Sequence, residues 1–282
     1  MTERASGATE DVAGPATSGP SELLARIVAR RRERLGSASA PRALAVERLD
    51  DNRFVAALRS RRGRAVIAEV KLGSPRIGSL AGRFEPEQVA RAYAANGAAA
   101  LSVVVEPDFF GGSYELLARC VEASGLPAIA KDFVVHPSQL EAARAAGASA
   151  ILLIAAMHSA AELRDFASAA RSVGLAPLVE THTPEDIAKL AGGEWEMTGI
   201  NNRDLRTFDV DLARSIRLAP TLPVGALKVA ESGIRSGAEV ARLAAAGFDA
   251  FLVGESFLLS PDPGAALAAL LGGSASGERA VP

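Results

Sequence analysis

The chain has 282 residues, 49% of them hydrophobic and 23% charged, with a formal net charge of −2 and a single cysteine, Cys120. These bounds suit one large domain or two small ones, leave no basic surplus for a nucleic-acid partner, and exclude an internal disulfide. No apolar run reaches membrane-spanning length and no apolar N-terminal core marks a signal peptide, so the expected protein is cytoplasmic and keeps away from membranes.

Residues 1–20 are rich in Ala, Gly, Ser, Thr and Pro, lack aromatic residues, and read as a disordered tail. Ser21 is placed as the N-cap of an amphipathic helix, SELLARIVARRRERL, with Leu23, Leu24, Ile27 and Val28 on one face. Its basic run, Arg30–Arg34, reads as a solvated face or as a phosphate contact. A second helical piece near Asn52–Ser60 puts Phe54, Val55 and Leu58 on one side. Together, residues 21–64 form an N-terminal helical extension that caps the following domain or flanks its mouth. The helix from Ser21 is expected at the mouth, because it combines a basic run with an apolar face that needs a partner.

After Arg64 the chain alternates. Short apolar runs stand at AVIAEV (65–70), ALSVVV (100–105), PAIAK (127–131), AILLIAA (150–156), APLVE (176–180), MTGIN (197–201), LKVAE (227–231) and AFLVG (250–254). Between them lie Ala-, Leu- and Arg-rich helical stretches, most ending at a glycine. Eight such units of about 25 residues, with strands apolar on both faces, predict an α/β fold, a closed (β/α)8 TIM barrel over residues 65–272. An open doubly wound sheet is the alternative, but no G-x-G-x-x-G turn follows the first strand. Residues 273–282 are again low-complexity and read as a disordered tail. Cys120, in the helical stretch YELLARCVEA, reads as a small buried side chain.

In such barrels chemistry gathers where strands run out into loops. Glu69 and Lys71 close the first strand two residues apart, hence on one side; alone, the pair also fits a surface salt bridge. Other strand ends supply Glu106, Lys131 with Asp132, Glu180, Asn201 with Asn202 and Arg203, Glu231 with Ser232, and Gly254 with Glu255. Lysines among carboxylates in a partly dry site suit acid–base work, and Glu69 is the expected carboxylate neighbour of Lys131. Ser232-Gly233 and Gly254-Glu255-Ser256 end strands seven and eight, where loops cradle phosphate with backbone N–H groups. A small phosphorylated substrate follows. Phe110 and Phe133 offer apolar walls, or core packing. His136, His158 and His182 fall on three separate units without ligand spacing, so no metal is expected. His182 lies near the rim with no evident partner and stays outside the predicted site. No Ser-His-Asp set or nucleophile elbow is present.

The segments EVKLGSP, VEPDFFGGS, AKDFVV, ILLIAA, LVETHT, GINNRDLRTFDVD, VAESGI and FLVGES closely resemble the indole-3-glycerol phosphate synthase family. The resemblance runs in order from about Ser21 to Leu271, and GINNRDL with the KDF lysine makes it specific. It implies conversion of 1-(2-carboxyphenylamino)-1-deoxyribulose 5-phosphate to indole-3-glycerol phosphate, releasing carbon dioxide and water, without a cofactor. By motif position it implies Lys131 as general acid in ring closure, Glu180 as general base, and Lys71 at the substrate carboxylate assisting dehydration. Glu69 and Asn201 orient substrate and lysine, while Glu231 and Ser232 line the site. Ser74, Gly233, Gly254 and Ser256 hold the phosphate, Arg203 fixes the anthranilate end, and Phe110, Phe133 and Leu152 form its pocket. The chain departs from the usual pattern at Leu72-Gly73, Arg76-Ile77 and Val105, which bear on the first loop and the rate rather than the reaction. A Schiff-base lyase using Lys131 or Lys71, and a non-catalytic metabolite binder, are the competing functions; monomer and dimer are both compatible with the sequence.

Overall fold

The computed structural model describes residues 22–36, 46–204 and 207–272. The two predicted tails and the Ser21 cap lie outside these residues. Helices α1 (Glu22–Leu35) and α2 (Arg53–Arg59) come first. The barrel strands are β1 (Ala65–Val70), β2 (Ala100–Val104), β3 (Ala128–Lys131), β4 (Ala150–Ile154), β5 (Ala176–Thr181), β6 (Met197–Asn201), β7 (Leu227–Glu231) and β8 (Ala250–Val253). Around them run α3 (Pro86–Ala95), α4 (Tyr114–Ser124), α5 (Ser138–Ala145), α6 (Ala160–Ser172), α7 (Pro184–Ala188), α8 (Leu212–Leu218), α9 (Gly237–Ala245), α10 (Glu255–Leu258) and α11 (Pro263–Gly272).

Each strand pairs in parallel with its sequence neighbour, and β1 meets β8 in the register Ala65↔Ala250, Ile67↔Leu252, so the sheet closes on itself. Alternation then sorts every strand into two faces. Inward go Ala65 and Ile67, Ala150 and Leu152, Ala176 and Leu178, Leu227 and Val229, filling the barrel. Outward go Val66 and Ala68, Leu101 and Val103, Ile151 and Leu153, packing on the helices. Both faces are buried, which is why the strands read as continuous apolar runs.

The two N-terminal helices part company. Phe54, Val55 and Leu58 of α2 join the inner cluster beside Ala65, Ala100, Ala150 and Ala250, the first inward residues of their strands, and so plug the end opposite the mouth. The Asn52 cap fixes that plug: its side chain accepts from the Phe54 N–H at 2.8 Å and donates to the carbonyls of Ser149 (2.8 Å) and Gly174 (3.1 Å). Each fully buried apolar side chain here contributes about 1.5–3 kcal/mol. Helix α1 lies at the other end, where Leu23, Leu24 and Ile27 roof the mouth, as its pattern predicted.

Boundaries shift where the backbone finds other partners. The fourth strand, predicted to 156, stops at Ile154 and turns into a 3-10 segment at Ala155–Met157. The helical stretch between the sixth and seventh strands begins after the Asp211 cap and ends at Leu218, with Pro220 falling in a 3-10 turn. Helix α10 follows β8 directly and had no counterpart in the sequence reading. Cys120 is buried and free, and burial pushes its thiol up to about 12, so it packs as an inert small side chain.

Candidate active site

The inward alternation that fills the barrel with Ala, Ile and Leu carries on to the strand ends, and there it delivers charge. Glu69 follows Ile67, Lys131 follows Ile129, Glu180 follows Leu178 and Glu231 follows Val229. Lys131 donates to Glu180 Oε2 at 3.1 Å and Glu231 Oε2 at 3.0 Å. Lys71 donates to Glu69 Oε1 at 2.7 Å. The partners of Lys131 are therefore Glu180 and Glu231. Glu69, the expected neighbour, has turned its carboxylate to Lys71 and acts on Lys131 through space.

Two ammonium groups here face three buried carboxylates, so one carboxylate is in excess, and the titrations separate accordingly. Burial works against the Lys131 charge, but Glu231, Glu180 and Glu69 outweigh it and hold the ammonium above its ordinary pKa. Burial and the nearby Glu180 raise the Glu231 carboxyl even against Lys131. For Glu180, burial is overcome by Lys131, then His182, then hydrogen bonds involving Glu231 and Asn201, and its carboxyl is held low. Glu69 is likewise held low, with Lys71 overcoming burial.

Above this cluster opens a pocket of about 350 Å³. Glu69, Lys71, Ser74, Lys131, Glu180, Asn201 and Ser232 reach its surface, as do Phe110, Phe133, Leu152 and Arg203. Glu231, expected on the wall, lies beneath Lys131 with 1% exposure and meets its ammonium at 3.0 Å. One pole of the pocket is apolar: Phe110 and Phe133 stand 5.9 Å apart between ring centroids, near Leu152 and Ile154. Glu106 builds this pole without touching it, since its carboxylate accepts the N–H groups of Asp108, Phe109 and Phe110 at 2.7–3.1 Å. The other pole is cationic and glycine-rich: Arg76, Arg203 and Arg235 flank Gly233 and Gly254. Gly233 has φ +79°, and a Cβ there would meet Val210 Cγ1 at 2.0 Å, so only glycine brings this backbone to the pocket. At Gly254 a Cβ would meet Glu69 Oε1 at 2.5 Å. Ser256 donates its hydroxyl to the Ile234 carbonyl (3.0 Å) and so ties the loops after β7 and β8 together.

A family model described as indole-3-glycerol phosphate synthase matches residues 24–270. The chain is 42% identical over 258 residues to an indole-3-glycerol phosphate synthase from Albidiferax ferrireducens, covering 88% of this chain and 98% of that one. The chain belongs to the indole-3-glycerol phosphate synthase family. A second relative of that name, from an Azoarcus species, is 43% identical over 263 residues, covering 89% of this chain and all of its own length. Among solved structures, orotidine 5'-phosphate decarboxylase from Pyrococcus horikoshii superposes with a TM-score of 0.55 at 15% identity, covering 73% of this chain and 97% of that one, a likeness of fold.

Within this family framework the first loop is ordered. Gly73–Ser74 and Gly78–Ser79 pair as an antiparallel hairpin, Leu72 and Ile77 pack on the outer core, and Arg76 pairs with Glu255. Arg76 thus pins this loop to the one after β8. Glu255 also receives Arg203 at 3.0 Å, and Phe208 O takes its other nitrogen at 3.2 Å. Three features escaped the sequence reading. Arg31 of α1 is buried and pairs with Asp132, which also accepts from Tyr114 (2.7 Å) and Gln139 (2.8 Å). The basic run is therefore neither a solvated face nor a phosphate contact at Arg31, and Arg34 goes to Asp108 at 2.8 Å. Asn202 turns away from the pocket to knit β7 to α8. His182, set aside for want of a partner, stands 3.3 Å from Glu180. The Arg31 and Asn202 contacts join segments far apart in the chain, so no local pattern encodes them, whereas His182 follows Glu180 by two residues and strand alternation is the signal that could have found it.

Proposed function

We propose that this protein is an indole-3-glycerol phosphate synthase, closing the indole ring of 1-(2-carboxyphenylamino)-1-deoxyribulose 5-phosphate with loss of carbon dioxide and water. The observation that carries the reading is one lysine, Lys131, held charged between Glu180 and Glu231 under a pocket with one apolar and one cationic pole. The aromatic ring of the substrate fits the pole of Phe110, Phe133 and Leu152. Its phosphate fits the pole of Gly233 and Gly254, with Ser74 and Ser256 beside them, where backbone N–H groups approach without a side chain in the way. The ketone then lies between the poles, over Lys131.

Ring closure joins the ketone carbon to the ring carbon that bears the carboxylate. Lys131 gives a proton to the ketone oxygen as that bond forms, and the leaving carbon dioxide returns its electron pair to the ring. The new hydroxyl departs as water, with Lys71 supplying a proton and Glu180 removing the one whose loss restores aromaticity. Lys131 is a donor by position rather than by weak proton affinity, and Glu231, its carboxyl raised by burial and by Glu180, stands next to it to return the proton. Asn201 steadies Glu180 and Ser232 completes the wall, while Arg203, expected at the anthranilate end, stands with Arg76 and Arg235 beside the glycines and there suits the phosphate instead.

The test is turnover of that substrate, followed by indole fluorescence and released carbon dioxide, for the parent and Glu180→Gln. Product from the parent and a large loss in the variant support the reading. A parent without product, or a borohydride-trapped adduct on Lys131 or Lys71, would replace it with the Schiff-base alternative.

A further inference from the structure

Beyond the last residue of β5 the alternation continues for one more inward position, so His182 follows Glu180 on the same side of the barrel. The His182 ring is 6% exposed and does not reach the pocket surface. Its Nε2 stands 3.3 Å from Glu180 Oε1, the oxygen that Lys131 leaves free when it takes Oε2. Its Nδ1 is 4.0 Å from Asp186 Oδ2, beyond hydrogen-bond reach. Asp186 is occupied in another way: Oδ2 accepts the His182 backbone N–H at 3.1 Å and Oδ1 accepts Lys189 Nζ at 3.2 Å. Neither ring nitrogen of His182 has an aligned hydrogen-bond partner. A buried polar ring left this way costs stability that an apolar side chain of similar size would not, and such exceptions call for a reason other than packing.

We propose that His182 is a positioning residue for Glu180: as a neutral imidazole with its proton on Nε2, it donates to Glu180 Oε1 and fixes the carboxylate plane so that Oε2 is the oxygen that exchanges protons. The Nε2 atom already stands 3.3 Å from that oxygen. Burial keeps the imidazole neutral, with Lys131 and Arg214 outweighing part of the pull of Glu180 and Asp186. Lys131, Glu231, Asn201 and, through space, Glu69 are the other groups that face Glu180. The assignment rests on the acid–base reading of Glu180 given above.

The test compares His182→Leu, which deletes the donor, with His182→Gln, whose amide replaces a donor at the Nε2 position, each in the parent and in Glu180→Gln. In the parent, His182→Leu should lower kcat about tenfold and leave KM within about twofold, because the ring touches Glu180 and not the substrate. Losing the donor makes Glu180 less acidic, so the acidic limb of the kcat–pH profile should move up by about half a unit. His182→Gln should restore both. In the Glu180→Gln background His182→Leu should cost little more, since the two act through one group. Equal losses in both backgrounds, or an unmoved limb with a lowered melting temperature, would make His182 a packing residue. If His182→Leu does not fold, the ¹⁵N spectrum of the parent decides: a proton on Nε2 supports the assignment, and one on Nδ1 overturns it. An inactive parent overturns the assigned reaction, whereas an active parent indifferent to His182 overturns this assignment alone.

Discussion

Replacing Lys131 by methionine keeps the length of the stem and removes the donor that Glu180 and Glu231 hold in place. General-acid contributions run at about 10²–10⁴-fold in rate, so Lys131→Met should lower kcat by that order while KM changes little, since both ends of the substrate are held elsewhere. A variant within about threefold of the parent would remove Lys131 from the chemistry. Glu231 makes a separate prediction, on stability. Burial and Glu180 raise its folded-state pKa to about 8, above its value in the unfolded chain. Folding therefore takes up a proton between the two values. The stabilisation is full below the ordinary carboxylate range and is lost as pH rises through about 8. Glu231→Gln lacks this dependence, so the melting temperature of the parent minus that of the variant should fall from pH 5 to pH 8 and then level off. A difference that stayed flat across that range would mean Glu231 is ionised throughout.

At the scale of whole elements, helix α1 and the loops after β7 and β8 bound the pocket. Helix α1 is fastened by Arg31 to Asp132, the residue after Lys131, with Tyr114 and Gln139 on the same carboxylate. Removing residues up to 45 takes away the apolar roof and that anchor together, and should raise KM; an unchanged KM would show that the roof does not touch bound substrate. Because Asp132 would be left buried with one cation fewer, some loss of stability should accompany it. At the opposite pole, added inorganic phosphate should shift the backbone amide resonances of Gly233 and Gly254, and silence at both would place the anion elsewhere. The strand ends were legible because an inward alternation of apolar residues broken by Lys131, Glu180 or Glu231 is a local pattern. The Arg31 anchor and the reach of Lys131 to Glu180 and Glu231 rather than Glu69 were not. Each joins residues far apart in the chain, through the docking of α1 or the facing of β3, β5 and β7 across the barrel, whereas the Glu69–Lys71 and Glu180–His182 contacts are two-residue neighbours that alternation already sets on one side.

At the scale of the whole molecule, the eight-unit count was readable from spacing, and so was the fold. The place of α2 was not: α1 was expected at the mouth from its basic run and apolar face, whereas nothing in the pattern of α2 says which end of the barrel it matches. The closing pair of strands carries a consequence for how the chain comes to be folded. β1 bonds to β8 through Ala65↔Ala250 and Val66↔Phe251, partners nearly two hundred positions apart. While the chain leaves the ribosome, the outer edge of β1 stays without its partner until the last strand has emerged, and loop-closure entropy makes that contact the latest to be rewarded. Half a barrel is thus a sheet with two raw edges, the kind of surface that pairs with other chains. A protein truncated before Phe248 should lose its cooperative thermal transition and aggregate, and a truncation that kept a sharp transition would show that the first seven strands close by another route.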